Sequence, residues 1–144
     1  MLENTLFIIK PDAITKKDDI INDISDTFDI LNLLDIKFNK KLVDLLYPND
    51  IGKNHYPALI EYMVEDYSAL GIVFGEDIII QFYNFAGVDS DPVLCDAGSL
   101  RRKYGAGWSQ TKSGLSILKN GIHRAKSREE YEYEYDLFKK EGWV

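Results

Sequence analysis

Cysteine is nearly absent from this 144-residue chain: Cys95 stands alone, so no internal disulfide can form and a cysteine-ligated zinc site is excluded. Histidine is almost as scarce, with only His55 and His123, and no paired-histidine metal motif, Walker loop or G-x-S-x-G elbow occurs. No apolar run approaches the roughly 20 residues of a membrane span, and Met1 to Asn4 lead straight into the apolar Thr5 to Ile9 without the basic start and apolar core of a secretory signal. A cytoplasmic protein in a reducing compartment is expected, with no membrane partner. Repeats and low-complexity stretches are also missing. At 45% hydrophobic the chain has material for one core and not for two, so residues 1–144 are expected to form a single domain.

One further absence is local. Between Arg101 and Arg128 there is no Asp or Glu, yet eight basic residues fall there, in a chain of formal net charge -7. A cleft lined by one sign of charge focuses field on a bound anion, so the stretch points to a polyanionic ligand with His123 in its midst. Overall acidity argues against broad nucleic-acid binding. A single-strand contact through residues 101–128 is the minor alternative, and it predicts affinity that falls steeply with salt. Two S-x-x-K matches, at Ser109–Lys112 and Ser116–Lys119, lack the motifs that would accompany them in penicillin-recognising enzymes.

The local patterns predict alternating strands and helices. Leu6 to Ile9 reads as a buried strand stopped by Lys10-Pro11-Asp12, which places Lys10 at the strand's exit. Ile20, Ile21, Ile24, Phe28 and Leu31 recur at helical spacing, predicting a helix over 18–31 capped by Thr15 or Asp18. A second strand is expected over Leu33 to Phe38, then a loop around Pro48 to Asn54, a short helix near Pro57 and a strand from Ala69 to Phe74. Ile78 to Tyr83 fits strand or helix equally, since β-branched residues favour the first and Asp77 could cap the second. Ala86 to Gln110 is turn-rich, the kind of long connection that carries function.

The last helix is marked by a capping box, Ser127 with Glu130, followed by Tyr131, Tyr135 and Phe138 on one face. Glu134 falls on that same face, and a carboxylate among aromatics needs a partner, because burying it unpaired is costly. His123, just ahead of the helix, is the partner at hand. An imidazole held at one nitrogen by a carboxylate presents the other in a defined tautomer, as nucleophilic or general-base work requires. An isolated histidine is nonetheless more often structural than catalytic, so the pair needs further support.

That support is a resemblance. Asn120-Gly121-Ile122-His123-Arg124-Ala125-Lys126-Ser127, preceded by Gly98-Ser99-Leu100-Arg101, by Leu59 to Met63 with a later Gly75-Glu76 turn, and by Lys10-Pro11-Asp12, resembles the nucleoside diphosphate kinase family in order and spacing. It implies an α+β fold, a ferredoxin-like βαββαβ core whose antiparallel sheet is covered by helices. It also implies a ping-pong kinase in which a histidine takes the γ-phosphate of a nucleoside triphosphate and passes it to a diphosphate. On this sequence His123 matches the histidine and Glu134 the glutamate that orients it. Lys10 and Arg101 match phosphate contacts, Ser90 a hydroxyl on the phosphates and Asn120 the residue reaching the ribose. For the base, Tyr56 is chosen with Leu59 beside it, although His55-Tyr56 aligns with either of two aromatic pairs of the family. Magnesium would enter on the nucleotide phosphates without a protein cage of its own, and a homo-oligomer is implied.

Three departures from the family pattern stand out. Arg-Ala-Lys-Ser follows the histidine in place of Gly-Ser-Asp-Ser, so a supporting serine is replaced by Ala125. A second phosphate-binding arginine before Gly87 is missing, with Tyr83, Asn84 and Phe85 in that neighbourhood; Arg102 and Arg124 are the candidates to compensate. A surplus segment, roughly Tyr104 to Gly114, is expected beside the site. These departures motivate the alternative function, a nucleotide-binding or regulatory module of the same fold with impaired catalysis.

Overall fold

A computed structural model describes residues 1–144. Leu2–Ile9 forms β1, an inner strand that pairs antiparallel with Ser68–Glu76 (β3) on one side and Ile122–Arg124 (β6) on the other. Asp29–Ile36 (β2) completes the sheet against the far side of β3, giving the order β2-β3-β1-β6. Successive side chains of a strand point to opposite faces. Leu6 and Ile8 therefore enter one apolar cluster, with Lys40–Leu46 (α2), Tyr56–Val64 (α3) and Arg128–Lys140 (α6). Phe7 and Ile9 enter another, with Lys17–Ser25 (α1) and Ile78–Ala86 (α4). Both faces of the second half of β1 are covered, which is why Leu6 to Ile9 reads as an uninterrupted apolar run. Gly71 lies opposite Phe7, and a Cβ there would run into the Phe7 ring.

The skeleton β1-α1-β2-β3-α4-β6 is the ferredoxin-like βαββαβ arrangement, with α2 and α3 inserted before β3 and further elements inserted before β6. No helix is long and apolar enough to cross a membrane.

Several local expectations are corrected. The first helix stops at Ser25, because Ile20 and Ile24 already bury its apolar stripe and the poor helix formers Asp26 and Thr27 follow. Phe28 instead packs edge-on against Phe82 and Phe85. Leu31 is 58% exposed on β2, at a register irregularity between Ile30 and Asn32. Neither Thr15 nor Asp18 caps α1; a turn of 3-10 helix, Ile14–Lys16, leads into it, and Asp18 and Asp19 sit in its first turn, where the dipole favours them. The second strand accordingly begins at Asp29, and Phe38 lies beyond its end.

The chain ahead of Pro48 holds an unanticipated helix, α2. The Asn39 side chain accepts from Leu42 N at 2.9 Å, and Leu42, Val43 and Leu46 bury its inner face. Ile78 to Tyr83 is helical, preceded by Asp77 in the left-handed region at φ 50°.

The turn-rich connection carries a short helix, Leu100–Tyr104 (α5), and a hairpin of Gly107–Gln110 (β4) with Ser116–Lys119 (β5). The hairpin docks on α3, where Glu61 accepts from Ser113 N at 2.8 Å and Ser113 Oγ at 2.6 Å. Ser127 caps α6 by accepting from Glu130 N at 3.1 Å, while Glu130 Oε1 accepts from Lys126 N, one residue ahead of the usual capping-box donor.

Candidate active site

Where β1 ends and β6 begins, six separate stretches of chain converge on a cavity of about 530 Å³, a size suited to a small-molecule ligand. Lys10 leaves β1 with its backbone N–H donating to Gly121 O at 2.8 Å, which ties the strand exit to the Asn120-Gly121 turn. Gly121 has φ +78°, and a Cβ there would meet Gly105 backbone at 3.1 Å, so the turn requires glycine. His123 pairs across the sheet with Ile8 and lines the cavity from β6. Arg101 comes from α5, Ser90 from the segment after α4, and Glu130 and Glu134 from the first turns of α6.

The expected histidine–carboxylate pair is present. His123 Nε2 lies 2.9 Å from Glu134 Oε2, with both side chains buried. An ionised carboxylate only accepts, so it holds the ring as the Nε2–H tautomer and leaves Nδ1, which has no protein partner, as the basic nitrogen. Tyr47 packs edge-on against the imidazole at 5.8 Å between ring centroids. Its hydroxyl, like Glu134 Oε1, is buried without a partner. Ala125, in the position of the family's supporting serine, is likewise buried and brings no hydroxyl.

Around this imidazole stand three buried cations. Lys10 Nζ donates to Asn120 Oδ1 at 3.0 Å. Arg101 donates from Nε to Ile122 O at 3.1 Å and from Nη1 to Asp89 O at 2.8 Å. Arg124 Nη2 donates to Gly87 O and Val88 O, each at 2.9 Å. None of the three has a carboxylate within ion-pair distance. Burial and mutual repulsion show in their acidity. Lys10 is pulled down to about 7, first by burial and then by Arg101. Arg101 is lowered to about 10 by burial and then by Arg124, and Arg124 is lowered chiefly by burial.

Lys10, Ser90, Arg101, Asn120, His123 and Glu134 are thus brought to one cavity. Tyr56 and Leu59 are not: both belong to the core cluster, and the Tyr56 hydroxyl donates to Asp44. Pro57 starts α3 with Tyr56 turned inward, and helical spacing then carries Leu59 to the same buried face. Arg102 is also elsewhere, donating to Val93 O and Cys95 O. The surplus segment rests on α3 rather than lining the cavity, because Ile117 anchors the hairpin in the core and Glu61 holds its tip. Tyr47 and Asp50 were missed; both follow α2, and the unrecognised helix hid the fact that the chain there turns back over the strand ends.

His123, Glu130 and Glu134 each offer an atom within 4.8 Å of the others, a possible cation cluster. Glu134 is already engaged by the imidazole, however, and Lys10, Arg101, Arg124 and Lys126 line the same cavity against a single further carboxylate, Asp50. The donor set fits a magnesium ion that arrives on phosphates better than a dedicated protein cage.

Fold and cavity together define a ferredoxin-like protein with a cleft of buried cations built around a carboxylate-held histidine. A family model described as nucleoside diphosphate kinase matches residues 3–142. Similar curated proteins are the nucleoside diphosphate kinases of Methanocaldococcus jannaschii, 28% identical over all of this chain and 98% of that protein, and of Thermococcus kodakarensis, 30% identical over 95% and 76%. A crystal structure of the Aquifex aeolicus nucleoside diphosphate kinase superposes with a TM-score of 0.78 at 24% identity, covering 96% of this chain and 95% of that one. The Encephalitozoon cuniculi nucleoside diphosphate kinase gives the same TM-score at 21% identity, over 94% and 88%. This chain belongs to the nucleoside diphosphate kinase family, and its reaction is that of a phosphotransferase.

Proposed function

We propose that His123 carries the phosphoryl group between nucleotides, with Glu134 as its positioning partner and with Lys10 and Arg101 as phosphate-binding cations. The observation that carries this is the meeting, in one cavity, of a free imidazole Nδ1 with buried cations that no carboxylate neutralises. In the first half-reaction the Nδ1 lone pair attacks the γ-phosphorus of a nucleoside triphosphate. The bond to the bridging oxygen breaks, and the diphosphate leaves with that electron pair. Glu134, accepting from Nε2–H, stabilises the positive charge that spreads onto the ring. In the second half-reaction a terminal oxygen of another nucleoside diphosphate attacks the phosphorus and the N–P bond breaks, returning Nδ1 unchanged.

Phosphoryl transfer asks for positioning and charge more than for covalent machinery. Lys10 supplies a cation whose lowered pKa rises again on meeting phosphate oxygens. Arg101 supplies a guanidinium fixed by two backbone carbonyls, Ser90 a hydroxyl at the rim, and Asn120 an amide held by Lys10. Magnesium, arriving on the nucleotide phosphates, would offset their charge, and Glu130 and Asp50 are cavity carboxylates that could hold its waters. We also place the protein in the cytoplasm as a homo-oligomer; β2 is an open edge with Leu31 exposed, a surface suited to a second copy.

The test is incubation with Mg-ATP labelled at the γ-phosphate, followed by a chase with GDP, on wild type and His123→Ala. Label that enters wild type alone and moves to GDP is the expected result. ATP binding by both proteins with label on neither would overturn the carrier role and leave the impaired nucleotide-binding module.

A further inference from the structure

We propose that Arg124 is a second phosphate-binding guanidinium of this cavity, directed at the terminal phosphates of a bound nucleoside di- or triphosphate. The inference deepens the nucleotide reading above and rests on it. Arg124 is 4% exposed, yet it lines the cavity beside His123. Its planar group lies 4.4 Å from the Tyr83 ring centroid, a stacking that fixes its orientation. Of its five N–H bonds, those on Nη2 go to Gly87 O and Val88 O. Nε is buried with no partner, and Nη1 makes no hydrogen bond. A buried guanidinium with no carboxylate and an unmade donor is costly to leave so. An anionic ligand in the cavity is what would offset that cost.

The geometry also separates the two arginines that could serve. Arg102 is exposed and spends its guanidinium on Val93 O and Cys95 O, away from the cavity. Arg124 stands on the same strand as the nucleophile. The segment it braces, Gly87 to Val88, leads into Ser90, and Arg101 braces the next carbonyl, Asp89 O. Two guanidinium groups thus brace one loop, from α5 and from β6, and both line the same cavity with donors to spare. Asn84 and its neighbours on α4 need not carry a cation, because β6 delivers one to the cavity, stacked on Tyr83 of that helix.

A bracing role alone would make similar bonds to Gly87 and Val88, so the test must read phosphate recognition. Calorimetric titrations with ADP and with AMP are made on wild type, Arg124→Met and Arg124→Lys, with a melting curve for each. Wild type is expected to prefer ADP. Arg124→Met is expected to weaken ADP by about 10- to 100-fold, the worth of a charge-assisted hydrogen bond or two, while AMP changes by less than about threefold. Arg124→Lys keeps the charge without the fork and is expected to fall between, again with ADP affected more than AMP. If Arg124→Met fails to fold, Arg124→Lys carries the comparison alone. Equal losses for both nucleotides, or unchanged ADP affinity, would overturn the proposal and leave Arg124 as a brace. A wild type that does not prefer ADP would instead sink the nucleotide reading, and this proposal with it.

Discussion

Glu134→Gln changes one charge and almost no volume at the most constrained point of the cavity. In the wild type the Glu134 carboxylate accepts from His123 Nε2 at 2.9 Å, with both groups buried. A hydrogen bond to a charged group is worth about 1.5–3 kcal/mol and a neutral one about 0.5–1.5 kcal/mol. The amide oxygen of glutamine can still accept from Nε2, so ring orientation survives and only the charge assistance is lost. That loss, about 1–2 kcal/mol, falls on the step in which positive charge develops on the ring, and at 1.36 kcal/mol per decade it slows phosphorylation by about 5- to 30-fold. Nucleotide affinity should hold within about threefold, since Lys10 and Arg101 are untouched. Rapid-quench labelling with γ-labelled ATP under single-turnover conditions gives the rate, and calorimetry with ADP gives the affinity. An unchanged labelling rate, or a loss of affinity as large as the loss of rate, would refute the positioning role.

Lys10 makes the free protein sensitive to pH. Below about 7 it is protonated in the folded and unfolded chains alike. Between about 7 and the ordinary 10.5 only the unfolded chain keeps the proton, so this group's contribution to stability rises with pH across that window. Phosphate favours the ammonium, so ADP binding above pH 7 should take up a proton and weaken toward alkaline pH. Titrations in buffers of different ionisation enthalpy read the uptake, and its persistence in Lys10→Met would contradict the assignment. Gly71→Ala drives a Cβ into the Phe7 ring and should cost about 1–3 kcal/mol or more in urea unfolding; near-wild-type stability would refute the packing account. Tyr47→Phe removes a buried hydroxyl without a partner, so melting should be unchanged or slightly higher. Labelling should slow by about 3- to 10-fold if that hydroxyl donates to the phosphoryl group on His123, and an unaltered rate would exclude the contact.

What could be read from the sequence follows from how local each signal is. Lys10 at a strand exit needed only Pro11 and the apolar run before it, and the His123–Glu134 pair needed only helix periodicity and the expense of a buried carboxylate. Both describe short stretches whose partners lie close along the chain. The first helix was drawn too long because Phe28 and Leu31 kept its period while belonging to other elements, Phe28 under α4 and Leu31 on the sheet edge. Periodicity records apolar spacing, and spacing alone does not say which neighbour receives the side chain. Tyr56 lies apart from the cavity for a related reason: an aromatic at a helix start is a fair stacking candidate until the helix packs, and here its hydroxyl donates to Asp44 on α2. Because α2 went unrecognised, the chain from Tyr47 to Asp50 could not be placed over the strand ends.

The features that fit local rules least well lie together. Lys10, Arg101 and Arg124 are cations under cover without acidic partners, and Tyr47 Oη, Arg124 Nε and Glu134 Oε1 are buried polar atoms without bonds. Elsewhere apolar faces turn inward, Lys40, Lys41, Lys103 and Lys140 pair with carboxylates at the surface, and the buried polar atoms without bonds are two uncharged hydroxyls, on Thr5 and Ser68. A domain tolerates such a cluster only where something else offsets its cost. On the reading proposed above, a polyphosphate does so by bringing negative charge to the three cations and acceptors to their unused donors, although Glu134 Oε1, itself an acceptor, gains no partner from it. Binding is then tightest for the ligand with the most terminal phosphate charge. The same desolvated cations that weaken the empty protein are in place, without rearrangement, when the γ-phosphorus leaves one oxygen for the imidazole nitrogen.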